Sequence, residues 1–470
     1  MWKRHVTIPD LRKKFDLIRM ILPMRESFKV AEHSKAAFYR ELWQASGAKT
    51  TSDEAIERKL QRYQKTDSVP QRLIDGLCAM FPTVRPDYLA LPFREFERQL
   101  GDRAAKGRQF VEAATYYRSN RLKLTRWIRA YYGEAGSPFP VIHRKGWILG
   151  APFELDPLPT HGLRAEEGLI AWDRTAGPAP TPPLLPNGLR LHELLRRHNP
   201  KLHNGTCYRL LEVAVRNGRP AMTFCLGRYF DYLDSCEILA VEAARAVLQS
   251  SASSVGADLP LRSSLGDVFD LRSRTAIPGV LTLVLLLNHS AGDVFLYHQR
   301  SDAVEEGPNS LHVVPAGSFE PSAADDSWHE RDFSLRRNVL REFGEELLGK
   351  KTFQTYKERG EDFATDPMIR VISSLLDKRI AKLFFFGVGL DPITTQPEIL
   401  TCLVLNMRDL LARIDLKDPF QNNYEGKYRT GSLTANQLEE LAANESTMPG
   451  GAACMLLAAR HLPTLLKGFR

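Results

Sequence analysis

Apolar residues change their spacing once along this chain of 470 residues, and that change limits the available folds more than any other feature. Through residue 131 they recur at the 3.6-residue helical period, with almost no alternating β-branched run. Beyond Ile277, apolar runs of strand length lie on both sides of one helix. The first pattern predicts helices at about 10–22, 34–46, 53–65, 70–80 and 106–131. They are punctuated by Gly47, by the capping box Thr51-Ser52-Asp53-Glu54, and by Pro70 and Pro82. The second predicts strands at 279–288, 293–299 and 310–314, a helix at 334–348, strands at 380–390 and 400–406, and helices near 434–443 and 451–466. Strands before and after a helix imply a mixed sheet sandwiched by helices.

Between these halves the pattern is broken. Residues 139–156 suggest irregular strands, and 173–188, DRTAGPAPTPPLLPNG, carry five prolines without periodicity, as a linker or extended loop does. Two apolar runs, 207–215 and 221–228, flank Arg216-Asn217-Gly218-Arg219, the Asn-Gly signal of a hairpin. A helical stripe over 232–249 completes a β–β–α unit. The expected organisation is therefore multidomain: an all-α region at 1–132, a Pro-rich linker region at 133–200, the hairpin-plus-helix unit at 201–250, and an α/β domain with C-terminal helices at 275–470.

Charge is segregated along the chain. Residues 1–130 hold 27 Lys and Arg against 15 Asp and Glu, a net +12 where the whole chain carries +8, so the rest is net −4. A basic end of this kind suits nucleic acid, and it equally suits a soluble basic helical domain. The longest apolar run, 280–287, is far short of a bilayer span, and the start MWKRHVTIPDLRKKF lacks an apolar signal segment, so a cytoplasmic protein without membrane contact is expected. The six cysteines form no C-x-x-C pair, and no H-E-x-x-H, P-loop, G-x-S-x-G or G-x-G-x-x-G motif occurs. Zinc, disulfide, serine-hydrolase and dinucleotide-fold readings have no foothold.

The segment LREFGEELLG places Glu342, Glu345 and Glu346 at i, i+3 and i+4 on one helix face, with Leu340, Phe343 and Leu347 as the core stripe. Like charges so placed repel, and Arg341 offsets only part of that. Clustered carboxylates suit Mg²⁺, or Mn²⁺, although a solvated acidic face would look the same in sequence. Upstream, a strand ends in the loop Pro315-Ala316-Gly317-Ser318-Phe319-Glu320.

These residues resemble the Nudix hydrolase superfamily over roughly 275–430, where a glycine loop precedes a helix reading R-E-apolar-x-E-E. Arg341, Glu342, Phe343, Glu345 and Glu346 match that helix, and Pro315, Gly317 and Glu320 resemble the loop. The gap from Gly317 to Arg341 is longer than in the family. SAADDSWHERD reads as an insertion, with Asp325, Asp326, Glu330 or Asp332 as replacements for the upstream family glutamate, and the closing glycine falls one position late, at Gly349 after Leu348. The resemblance implies a Nudix-type mixed-sheet sandwich and cleavage of a nucleoside diphosphate linked to another moiety. One or two Mg²⁺ would sit on Glu342, Glu345 and Glu346; Arg341, Glu345 and Glu346 would be catalytic, Arg341 orienting a glutamate; and Gly317 and Glu320 would form the substrate loop.

In helix 53–65, Ile56, Leu60 and Tyr63 mark a core face, and Arg58, Arg62 and Lys65 recur along another, as in a helix that lies in a DNA groove. The helix before it would complete a helix-turn-helix, across a connection longer than usual. A second basic run, Arg118, Arg121, Lys123, Arg126 and Arg129, lies on helix 106–131, either tracking phosphates or solvated. The layout resembles bacterial helix-turn-helix regulators with a C-terminal Nudix-like domain. Three readings stay open: a regulator of transcription that binds double-stranded DNA and whose C-terminal domain binds, with or without hydrolysis, a nucleotide-derived metabolite; a Mg²⁺-dependent pyrophosphohydrolase whose N-terminal helices serve dimerisation, as a homodimer, or substrate delivery; and a non-catalytic sensor or scaffold.

Overall fold

The computed structural model describes residues 5–21, 35–48, 52–81, 84–133, 138–155, 169–181, 185, 190–199, 202–216, 219–249, 259–301, 309–323, 325–348, 360–413 and 426–469. The chain divides into two units, Met1–Ala113 with Pro183–Leu202 and Ala114–Pro182 with His203–Arg470. Two expected boundary markers, Thr51 and Pro82, and the Asn217-Gly218 turn and Gly349 lie outside the described residues.

The first unit contains α1 (Leu11–Ile21), α2 (Lys35–Ala45), α3 (Asp53–Thr66), α4 (Gln71–Met80), the start of α5 (Phe93–Arg129) and α6 (Leu191–His198). Each of the first five offers a stripe to one core: Leu11, Phe15 and Ile18; Phe38 and Leu42; Ile56 and Leu60; Leu73 and Leu77; Phe96 and Leu100. Ser52 caps α3 by accepting from the Ala55 amide. Two expectations are corrected. The unit is not purely helical, because β1 (His5–Thr7) pairs antiparallel with β2 (Ser68–Pro70), segments too short to show a period. Helix α5 begins at Phe93, well before residue 106, because the glycines and charges at 101–108 dilute its stripe without breaking it.

In the second unit the buried run 280–287 becomes β7 (Gly279–His289), a strand covered on both faces, which is why it is apolar throughout. Its neighbours are β8 (Gly292–Arg300), antiparallel, and β12 (Pro397–Asn406), parallel. The sheet runs β13 (Gly426–Ser432), β8, β7, β12, β11 (Lys382–Leu390), β3 (Ile148–Glu154), with β9 (Leu311–Val313) on β8 and β10 (Ala316–Ser318) on β7. Alternation along β7 sends Val280, Val284 and Leu286 to the face shared with Leu340, Phe343 and Leu347 of α9 (Leu335–Leu347). Leu281, Leu283 and Leu285 face α12 (Pro449–Leu465) through Ala453, Cys454 and Leu457. Also present are α7 (Ile238–Gln249), α8 (Asp326–Arg331), α10 (Pro367–Asp377) and α11 (Ala435–Ala443).

The expected linker region at 133–200 is corrected in part: of the irregular strands expected at 139–156, 148–154 is a strand of the large sheet, and β4 (Ile170–Trp172), which was not expected, pairs parallel with β6 (Arg219–Arg228). The hairpin β5 (Thr206–Arg216) with β6 forms as expected. It does not stand alone at 201–250 but belongs to the same unit as the large sheet. Its core residues Tyr208 and Phe224 pack on Phe319 and Phe333, which join the hairpin to the loop before α9.

Candidate acidic site on helix α9

Ser334 starts α9 by accepting from the Arg337 amide at 3.2 Å, and the Leu340, Phe343 and Leu347 stripe fixes the rotation of the helix against the sheet. That rotation sends the acidic face towards the loop 315–320. The loop is held independently: β10 pairs with β7, the Thr282 amide donates to the Pro315 carbonyl at 2.9 Å, and the Tyr208 amide donates to the Phe319 carbonyl at 3.1 Å. Helix and loop are therefore each held in place by contacts of their own.

Arg341 joins them. Its buried guanidinium donates to the Glu320 carbonyl at 2.7 Å, the Ser318 carbonyl at 3.2 Å, Asn338 Oδ1 at 3.1 Å and Glu342 Oε1 at 2.7 Å. Burial alone would lower its pKa, but Glu342, Glu345 and Glu320 outweigh that and hold it above the ordinary arginine range. The carboxylate that this guanidinium contacts is that of Glu342. Glu320 contributes its main-chain carbonyl as the acceptor, a role that sequence does not display.

Glu342 lies under Gly317, where a β-carbon would overlap its carboxylate. Burial pushes its pKa up to about 7, Arg341 opposes the shift, and the charges of Glu345 and Glu320 add to it. Glu346, also buried, accepts from the Ala316 amide at 2.7 Å, and its other oxygen is 3.8 Å from His298 Nδ1. Glu345 is half-buried on the same face. His298 had no signal in the sequence, since it comes from β8 and reaches Glu346 only through the tertiary fold.

The acidic residues of the insertion are engaged elsewhere. Asp325 caps α8 through the Ser327 amide, Asp326 sits 3.4 Å from His329 Nδ1, and Glu330 pairs with Arg174. Asp332, buried, accepts from the Ser322 amide at 2.7 Å and binds Arg337 at 2.8 Å. None of the four is brought to the Glu342 pocket by these contacts.

Among the described residues no three His, Cys, Asp or Glu side chains are gathered into a group able to hold a metal ion. Glu342 and Glu346 are engaged by protein groups, Glu342 by Arg341 and Glu346 by the Ala316 amide, with His298 3.8 Å away.

On α3, Arg58, Arg62 and Lys65 are exposed together, opposite buried Ile56 and Leu60. Helices α2 and α3 are tied by the Arg40–Asp53 ion pair and by Lys59 Nζ lying 5.0 Å from the centre of the Trp43 ring. The second basic run does not form one surface: Arg121 is buried on Asp391 and Tyr117, and Arg129 donates to the Phe139 carbonyl at 3.2 Å. Among the described residues no helix is long and apolar enough to cross a membrane. No family model and no curated protein matches this chain.

Proposed function

We propose that the second unit is a Nudix-type domain that binds a nucleoside-diphosphate-linked metabolite together with Mg²⁺, and that it serves as the ligand-responsive part of a cytoplasmic DNA-binding regulator. The observation that carries this reading is the Arg341 fork. It ties the 315–320 loop to the helix bearing Glu342, Glu345 and Glu346, the loop-and-helix arrangement that the sequence motif anticipates. Mg²⁺, when bound, would neutralise the diphosphate and lower the pKa of a coordinated water. The residues of this chain do the rest: Glu342, Glu345 and Glu346 supply oxygens, Arg341 holds Glu342 and the loop, and the Ala316 amide orients Glu346.

Exposed Arg58, Arg62 and Lys65 support the DNA half of the proposal, with α2 and α3 as a helix-turn-helix pair. A homodimer would present two such faces to two half-sites. A second reading, sensing without turnover, is favoured by the engagement of Asp325, Asp326, Glu330 and Asp332 in local contacts. Incubation of a panel of nucleoside diphosphate sugars with the full chain and Mg²⁺ separates the two. Turnover that disappears in Glu345→Gln and Glu346→Gln supports the hydrolase, and tight binding without product supports the sensor.

A further inference from the structure

The side of α9 turned away from Glu345 opens on a cavity of about 220 Å³ shared with α10. Arg336, Arg337 and Arg370 line it with Ser373 and Ser374, and Leu340 and Phe363 supply apolar wall. Three arginines around so small a space repel one another unless anions answer them.

Arg337 is answered by Asp332 at 2.8 Å and Asp362 at 3.0 Å, and its guanidinium lies 4.8 Å from the centre of the Phe363 ring. Asp362 is also shared with Arg331. Arg336, only 3% exposed, donates to the Ser373 carbonyl and hydroxyl at 2.9 Å and to Asp377 at 2.7 Å. Arg370 is exposed and has no ion pair among the described residues. Among the described residues that line the cavity, the three arginines meet one aspartate, Asp377. Asp377 is the most open of the three aspartates, its side chain 52% exposed against 5% for Asp332 and 16% for Asp362.

We propose that this cavity binds a small phosphorylated ligand, whose phosphate takes the place of Asp377 on Arg336 and is closed on the outer side by Arg370. A guanidinium fork matches two phosphate oxygens at once, and the Ser373 and Ser374 hydroxyls are further donors. Leu340 and Phe363 cover a short apolar remainder. The cavity is smaller than the roughly 300–1,000 Å³ of drug-sized sites, which restricts the ligand to a phosphate with a few carbon atoms. This site is separate from the carboxylates on the other side of α9 and does not rest on their reading.

The test is calorimetric titration of the full chain, without divalent metal and at constant ionic strength, with inorganic phosphate and with glycerol 3-phosphate. Saturable single-site binding is expected, tighter for glycerol 3-phosphate. Arg370→Ala and Ser374→Ala should each weaken it about tenfold or more, a difference of about 1.4 kcal/mol. Asp377→Asn, which removes the internal competitor, should tighten it, and Glu345→Gln with Glu346→Gln should leave it unchanged. Absence of saturable binding overturns the proposal, as does binding indifferent to both Arg370→Ala and Asp377→Asn.

Discussion

The Glu342 carboxylate occupies the space where residue 317 would carry a β-carbon, so the glycine in the loop and the glutamate on the helix are two halves of one packing arrangement. Gly317 pairs with Val280 in the sheet, and Glu342 projects from the helix on that face of the sheet. Gly317→Ala should therefore dislodge Glu342 or push the loop outward. The expected cost is about 1–3 kcal/mol, as for overpacking elsewhere, read as a lower urea midpoint at unchanged slope. A midpoint equal to the parent's would mean the loop gives way freely.

Arg341 has four acceptors and is 6% exposed, so removing it leaves Glu342 buried without its counter-charge and the Ser318 and Glu320 carbonyls short of a donor. Arg341→Met should cost about 3–5 kcal/mol. Adding Glu342→Gln to it should recover part of the loss, because the stranded charge is then gone. Strict additivity in that double-mutant cycle would show that the pair is not coupled.

Stability should fall as pH rises through the range set by Glu342. Its carboxyl is protonated in both folded and unfolded chains below the ordinary value of 4.5, and the folded chain keeps the proton up to about 7. Between those limits the folded state binds more protons, so raising the pH lowers stability, with the loss complete above about 7. Glu342→Gln should flatten this part of the profile measured by urea unfolding. A mutant profile as steep as the parent's would place the effect on other groups.

The hairpin acts on the site through Phe319, whose ring centre lies 4.6 Å from that of Tyr208, while the Tyr208 hydroxyl donates to the His329 carbonyl at 2.8 Å. Phe319→Ala should cost about 3–5 kcal/mol and Tyr208→Phe about 1–3 kcal/mol. Amide exchange at 316–320 should quicken in both variants. Unchanged exchange there would show that the loop is held by β10 alone.

On α3 the predicted effect is on binding rather than stability. Arg58→Ala with Arg62→Ala leaves buried Ile56 and Leu60 untouched, so the melting temperature should hold. Duplex affinity should drop, and the salt dependence should lessen by about two counter-ions. Failure of the parent chain to bind duplex at low salt would remove the DNA half of the proposal.

Much of this arrangement is legible in the residues. Helix α9 shows itself by its Leu340, Phe343 and Leu347 stripe, and β7 by an apolar run buried on both faces. Strand β3 showed only as part of the irregular stretch 139–156, because Gly150 and Pro152 interrupt it and its pairing with β11 shifts register at Gly387. Strand β10 is three small residues whose only reason to be extended is β7, far away in sequence. Helix α10 was not among the expected elements, although Asp366 caps it and Pro367 stands in its first turn. In the site, the spacing of the carboxylates was visible. The partners that decide their chemistry, the Ala316 amide and His298 on Glu346 and the Gly317 seat under Glu342, meet them only through the sheet.

The most direct test of the central claim is calorimetric titration of the full chain with ADP-ribose, with and without Mg²⁺, for the parent and for the Glu345→Gln, Glu346→Gln double variant. Binding in the parent is expected to require Mg²⁺ and to be lost in the variant, while the variant's thermal stability without ligand stays near the parent's. Binding that is equally tight without Mg²⁺, or that survives both substitutions, would contradict it.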